Sequence, residues 1–152
     1  MNTKIKAVIF DLDGTLIDTE KYYRTCWPLA LEKFGYHITD EQVLSLRSLG
    51  RPYAPERLKE MMNDPKLDYT AIRNYRKELV EKCMEENGIE LKKGAKEILT
   101  WLKKHQIKRA IATANDEERA ERYLKKIGLY DYFDEIICAT MVSCGKPAPD
   151  TY

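Results

Sequence analysis

This chain has no apolar run near the ~20 residues that a membrane-spanning helix needs, so no contact with a bilayer is expected. It has no excess of one charge either. Its 26 Lys and Arg stand against 25 Asp and Glu, which gives no footprint for nucleic acid. The N-terminal MNTKIKAVIF has a short basic start but no small-residue cleavage site before the acidic stretch that follows, so a secretory leader is not expected. The four cysteines, Cys26, Cys83, Cys138 and Cys144, lack metal-type spacing. Even Cys138 and Cys144, six apart, make no recognised zinc pair. Free thiols in a reducing cytoplasm are the expectation. A length of 152 residues allows one substantial core, or a small core with an inserted lobe.

The most informative stretch present is residues 5–19, IKAVIFDLDGTLIDT. The apolar run Ala7 to Phe10 reads as a strand buried on both faces of a parallel sheet. It ends in two carboxylates, Asp11 and Asp13, followed by Gly14, which permits a tight turn. Residues two apart in a strand project to the same side, so the two acids point together and Leu12 points away. Crowding two acids at the carboxyl end of a core strand is costly unless a cation or a reaction uses them. An ordinary acidic turn would explain Gly14 but not two acids and a threonine in this order. A calcium loop starting at Asp11 would need glycine at its sixth position and glutamate at its twelfth. Those places hold Leu16 and Tyr22, so that reading fails.

Residues 18–87 carry helical spacing and no strand-like run, which predicts an all-helical lobe of about four helices. Pro28 marks a kink or a break in the first, and Gly35, Gly50 and Gly88 fall where helix C-caps belong. After Gly88 the pattern becomes α/β. GAKEILTWLKKHQ reads as a helix and IKRAIATAN as a second buried strand. DEERAERYLKKIGL is a further helix capped by Asn115 or Asp116, and DEIICAT is a third strand leading into MVSCGKPAPD. The fold class expected is α/β, a doubly wound parallel sheet with an inserted α-helical cap domain. The core comprises residues 1–16 and 89–152, and the cap residues 17–88. Ligands in such sheets bind at the carboxyl ends of strands, and three polar clusters lie there: Asp11/Asp13, Thr113/Asn115 and Lys146.

FDLDGTLIDTE, IATAN and GKPAPD, in that order around a helical insertion, resemble the first three signature motifs of the haloacid dehalogenase superfamily. The resemblance is strongest to its β-phosphoglucomutase-like phosphatases. It implies a magnesium-dependent phosphatase acting on a small phosphorylated metabolite through an aspartyl-phosphate. Asp11 resembles the nucleophile and Asp13 the general acid and base. The Asp11 carboxylate and the Asp13 main-chain carbonyl resemble the metal ligands, with Mg2+ as cofactor. The Thr113 hydroxyl and the Ala114 and Asn115 main-chain N–H groups resemble a phosphate cradle, and Lys146 a stabiliser of phosphoryl charge. Arg51 resembles an arginine that contacts substrate from the cap, although an exposed surface arginine explains it nearly as well.

Two departures matter. Dehalogenases and phosphonatases lack the second aspartate, which favours phosphoryl chemistry here. Mutases of the β-phosphoglucomutase kind place a histidine in the first cap helix where this sequence has Tyr23, so sugar-phosphate mutase activity is only a further alternative to hydrolysis. The family resemblance also implies a fourth, acidic motif on a strand beyond GKPAPD, whereas the sequence ends at Tyr152. The expectation is therefore a truncated phosphatase, weakly active or inactive as it stands. A non-catalytic fragment or interaction module is the alternative, and self-association through an open apolar edge of the first strand is expected.

Overall fold

The computed structural model describes residues 4–46, 53–146 and 148–152. The chain divides into two compact units, one of residues 1–19 and 89–152 and the other of residues 20–88.

The first unit is α/β. Three strands, β1 (Ala7–Phe10), β2 (Lys108–Ala112) and β3 (Glu135–Ile137), form a parallel sheet in the order β1-β2-β3. Ala7 pairs with Lys108 and Phe10 with Ile111, while Ala110 pairs with Glu135 and Ala112 with Ile137. Parallel strands need crossover connections. The second of these carries α6 (Glu117–Lys126), and α5 (Ala95–Lys104) precedes β2. Each helix buries one stripe: Ala95, Leu99 and Leu102 from α5, and Arg119, Ala120, Tyr123 and Leu124 from α6. The Asp116 carboxylate caps α6 by accepting the Arg119 N–H at 2.9 Å. Glu117 and Glu118 in its first turn and Lys125 and Lys126 in its last suit the helix dipole.

One expectation needs correcting. The β1 side chains are not buried on both faces: Ile9 is 48% exposed, and Val8 and Phe10 are intermediate. An apolar run reports compatibility with a sheet, not the number of neighbours. β1 has β2 on one side and, among the described residues, no strand on the other.

Just beyond β1 the chain pairs with the segment that follows the second unit. The Asp18 N–H donates to the Glu90 carbonyl at 2.8 Å, and the Lys92 N–H to the Leu16 carbonyl at 2.9 Å. Ile17 and Leu91 form an antiparallel bridge, and the Lys92 ammonium donates to Asp18 Oδ1 at 3.2 Å. Residues 16–18 and 90–92 thus form a small neck.

The second unit is helical, with α1 (Glu20–Lys33), α2 (Asp40–Ser45), α3 (Tyr53–Met62) and α4 (Tyr69–Asn87). Pro28 lies inside α1, which runs through it unbroken. Gly35 at φ 82° closes α1, where the left-handed conformation favours glycine, and the Tyr36 N–H reaches back to the Leu31 carbonyl. Thr39 and Gln42 form a reciprocal capping box at the start of α2, and Asp68 caps α4. Trp27, Leu31, Val43, Leu58, Leu67 and Ile72 join in one core. Gly50 and Arg51 lie outside the described residues. Among the described residues, no helix is long and apolar enough to cross a membrane.

Leu31 is fully buried in the helical core. Leu31→Ala is expected to cost about 2–5 kcal/mol, read as a lower urea midpoint for unfolding of the helical unit. An unchanged midpoint would contradict this packing.

Candidate active site

The regular strand β1 stops at Phe10, so Asp11 is the first residue past the sheet. The chain then folds tightly on itself. The Leu12 carbonyl accepts from the N–H groups of Leu16 and Ile17 at 3.0 and 3.1 Å, and the Gly14 N–H donates to the Ile17 carbonyl at 2.8 Å. Gly14 sits at φ 74°, a conformation that costs glycine little. Leu12 is fully buried and anchors the turn.

Lys146 reaches this turn from the loop after β3. Its ammonium donates to Asp11 Oδ1 at 2.8 Å and to the Ala112 carbonyl, at the end of β2, at 2.6 Å. The Lys146 ammonium also lies 5.4 Å from the centre of the Tyr152 ring. Two residues that are far apart in sequence therefore form a charge-assisted pair at the carboxyl end of the sheet.

Asp13 is held from both sides. The Thr19 hydroxyl donates to Oδ1 at 2.8 Å, and the Asn115 side-chain amide donates to Oδ2 at 2.6 Å. Asn115 is positioned by a continuation of the β2–β3 pairing past the strand ends. The Thr113 N–H donates to the Ile137 carbonyl, and the Ala139 N–H to the Asn115 carbonyl, each at 2.9 Å. Thr113 is buried, and its Oγ1 accepts the Asn115 N–H at 3.2 Å, whereas Ala114 is exposed. Arg51 lies outside the described residues, so its position relative to these groups is not described.

Burial pushes the Asp13 carboxyl above its ordinary value. Donation from Thr19, the positive charge of Arg119 and donation from Asn115 pull it back, and the neighbouring Asp11 pushes it up slightly. Arg119 is itself buried on α6, with Nε donating to the Tyr123 hydroxyl at 2.7 Å. Desolvation prevails over these donors, so Asp13 keeps a proton more readily than a solvated carboxyl.

Sequence reasoning missed Thr19 and Arg119, and for Asn115 it considered the main chain and a helix cap but not a bond to Asp13. The signal for Thr19 was present in the IDT that closes the first motif. Arg119 carried none, because an arginine in a charged helix reads as a solvated face.

The groups that the family resemblance offers to a cation, the Asp11 carboxylate and the Asp13 main-chain carbonyl, are both hard oxygens. Among the described residues, no three His, Cys, Asp or Glu side chains come together. This set fits a hard ion that keeps several water ligands, as magnesium does, and does not fit a metal that needs a complete protein cage.

Comparison with known proteins identifies the family. Residues 8–152 match the family described as haloacid dehalogenase-like hydrolase. The chain belongs to that family. It is 32% identical over 150 residues to a phosphorylated carbohydrates phosphatase of Thermotoga maritima, covering 97% of this chain and 68% of that one. It is 28% identical over 152 residues to the fructose-1-phosphate phosphatase of Escherichia coli, covering all of this chain and 79% of that one. Among solved structures it is similar to CbbY of Rhodobacter sphaeroides in complex with phosphate, with a TM-score of 0.72 at 26% identity, covering 98% of this chain and 70% of that one. It is also similar to a β-phosphoglucomutase of Clostridium difficile, with a TM-score of 0.75 at 26% identity, covering 97% and 68%. The chain spans about two thirds of the length of several of the curated relatives it matches.

The raised Asp13 carboxyl makes a signed prediction. A carboxyl whose folded value lies above its unfolded one favours the folded state below the unfolded value, and that support is lost as pH rises through the folded value. The melting temperature of the native chain minus that of Asp13→Asn should therefore fall as pH rises above the ordinary carboxylate range. A difference that is flat with pH would refute the half-buried, proton-retaining Asp13. Thr19→Val removes a donor to the ionised form. It should push Asp13 higher still, observed by carboxyl-carbon NMR titration as a midpoint at higher pH.

Proposed function

We propose that this chain is a phosphatase for small phosphate monoesters, working through a covalent aspartyl-phosphate on Asp11. The observation that carries the reading is the pairing of two differently treated carboxylates. Asp11 faces the Lys146 ammonium, while Asp13, two residues on, is desolvated and held by neutral donors. Environments that separate two acids in this way divide nucleophile from acid.

An Asp11 carboxylate oxygen attacks phosphorus, and the bond to the leaving alkoxide breaks as Asp13 delivers its proton to that oxygen. Asp13 then takes a proton from water, which attacks the phosphorus of the aspartyl-phosphate and restores Asp11. For either transfer Asp13 must exchange the Thr19 or Asn115 donor for the reacting oxygen. The Thr113 hydroxyl and the Ala114 and Asn115 N–H groups receive phosphoryl oxygens. The Asn115 N–H first leaves Thr113 Oγ1, its present partner. The Lys146 ammonium offsets negative charge shared between Asp11 and the phosphoryl group, and its second contact, to the Ala112 carbonyl, keeps it at that point. Magnesium on Asp11 and the Asp13 carbonyl would supply Lewis-acid neutralisation of the phosphoryl oxygens.

Relatives named for phosphorylated carbohydrates and fructose 1-phosphate support a small sugar phosphate as the substrate class. Hydrolysis is preferred to mutase chemistry because position 23 is a tyrosine. Its ring lies under the Arg76 guanidinium at 5.2 Å, where β-phosphoglucomutase-like mutases are expected to carry a histidine. The exposed edge of β1 supports self-association as part of the same reading. Sedimentation velocity should show dimers that an Ile9→Lys substitution disperses, since an edge charge opposes strand pairing.

The test is turnover of an aryl phosphate with a magnesium titration. Asp11→Asn should lower kcat by about 10³-fold or more, and Lys146→Ala by about 10²-fold. Turnover should depend on magnesium and be lost on chelation with EDTA, with recovery when magnesium is restored. Turnover that survives Asp11→Asn would overturn the reading.

A further inference from the structure

Two cysteines in the helical unit remain unused by this chemistry. Cys26 on α1 and Cys83 on α4 come from positions 57 residues apart, and their sulfurs lie 3.8 Å from each other. Cys26 is completely buried and Cys83 is intermediate. The two other cysteines are in the α/β unit, one buried and one exposed. The Cys26–Cys83 separation is that of a weak thiol–thiol hydrogen bond, and closing it to a bond of about 2.05 Å needs side-chain rotation and a small shift of two packed helices. We propose that Cys26 and Cys83 form a reversible dithiol–disulfide pair, a covalent modification site that staples α1 to α4.

The co-reactant is a low-molecular-weight disulfide of the glutathione type. Cys83, the more accessible sulfur, attacks one sulfur of that disulfide as its own proton leaves to solvent. A mixed disulfide forms and one small thiol departs. Cys26 then loses its proton and attacks the Cys83 sulfur, forming the internal bond and releasing the second small thiol. Two protein thiols are oxidised and one small disulfide is reduced to two thiols. The order is set by accessibility and charge. The Cys26 thiol is pushed up to about 12, chiefly by burial and then by the neighbouring Cys83, so it is a poor first nucleophile. Once Cys83 is capped its charge and hydrogen bond no longer oppose ionisation of Cys26, which makes the second step easier than an initial attack by Cys26.

The staple joins helices separated by most of the helical unit, so it should restrict the unfolded state of that unit. The test uses the full chain carrying Cys138→Ala and Cys144→Ser, which leaves only the pair, incubated folded with glutathione disulfide. The expected product has lost two hydrogen masses, and tryptic digestion without reductant links residues 25–33 to residues 83–92. Its melting temperature should be higher than that of the reduced form by about 5 °C or more, and dithiothreitol should reverse the change. Adding Cys26→Ser should leave a stable glutathione adduct on Cys83, whereas Cys83→Ser should leave Cys26 unmodified. An adduct that persists on Cys83 while Cys26 is present would overturn the proposal. So would a cross-link that appears only in denaturant, or rapid capture of Cys26 in the Cys83→Ser variant.

Discussion

Two carboxylates two residues apart, one of them desolvated, are the constraint that organises the α/β unit. Left without counter-charge, a buried anion costs several kcal/mol, more than most single contacts return. Two parts of the chain meet that cost at Asp13, and a third pairs the more exposed Asp11. The loop after β3 brings Lys146 to Asp11, the turn before α6 brings Asn115 to Asp13, and the end of the first motif brings Thr19. Asn115 is fixed by main-chain bonds that continue the β2–β3 pairing past its formal ends, Thr113 to Ile137 and Ala139 to Asn115. The polar cluster and the sheet edge are therefore one construction. Loosening the β2–β3 pairing would move the Asn115 amide, and Asp13 would lose a donor that helps it to ionise.

The strength of the Lys146–Asp11 pair is limited by water. Their side chains are 21% and 42% exposed, so the Coulomb attraction is partly screened and the pair stabilises the fold only modestly. Its value is positional. The second bond from Lys146, to the Ala112 carbonyl, ties the ammonium to the same strand end that carries Thr113.

Much of this was legible in residue types and order. An apolar run ending in Asp-x-Asp-Gly, a threonine after a second run and a lysine in a Gly-Lys-Pro loop are rare together by chance. A parallel sheet then fixes which ends they share. The helical unit was legible too, because helix spacing and glycine stops are local signals. Exposure of β1 was not, since apolar composition carries no count of neighbouring strands. Nor was Arg119, whose burial follows from its place on the inner stripe of α6 rather than from its chemistry. Arg51 was singled out by resemblance and lies outside the described residues. Asp116 as the cap of α6 rather than Asn115 was settled by geometry alone: Asn115 spends its side chain on Asp13.

The small neck at residues 16–18 and 90–92 changes the thermodynamic meaning of everything between. Two main-chain hydrogen bonds and the Asp18–Lys92 ion pair bring together the ends of the segment formed by residues 19–89. For the α/β unit that segment is a closed loop, whatever it contains. Loop-closure entropy rises only with the logarithm of length, about 0.6 kcal/mol for each doubling. Once the neck is formed, lengthening, shortening or refashioning the insert costs the sheet very little. A fold joined in this way can keep one set of reacting groups while the segment it carries drifts freely in size and sequence.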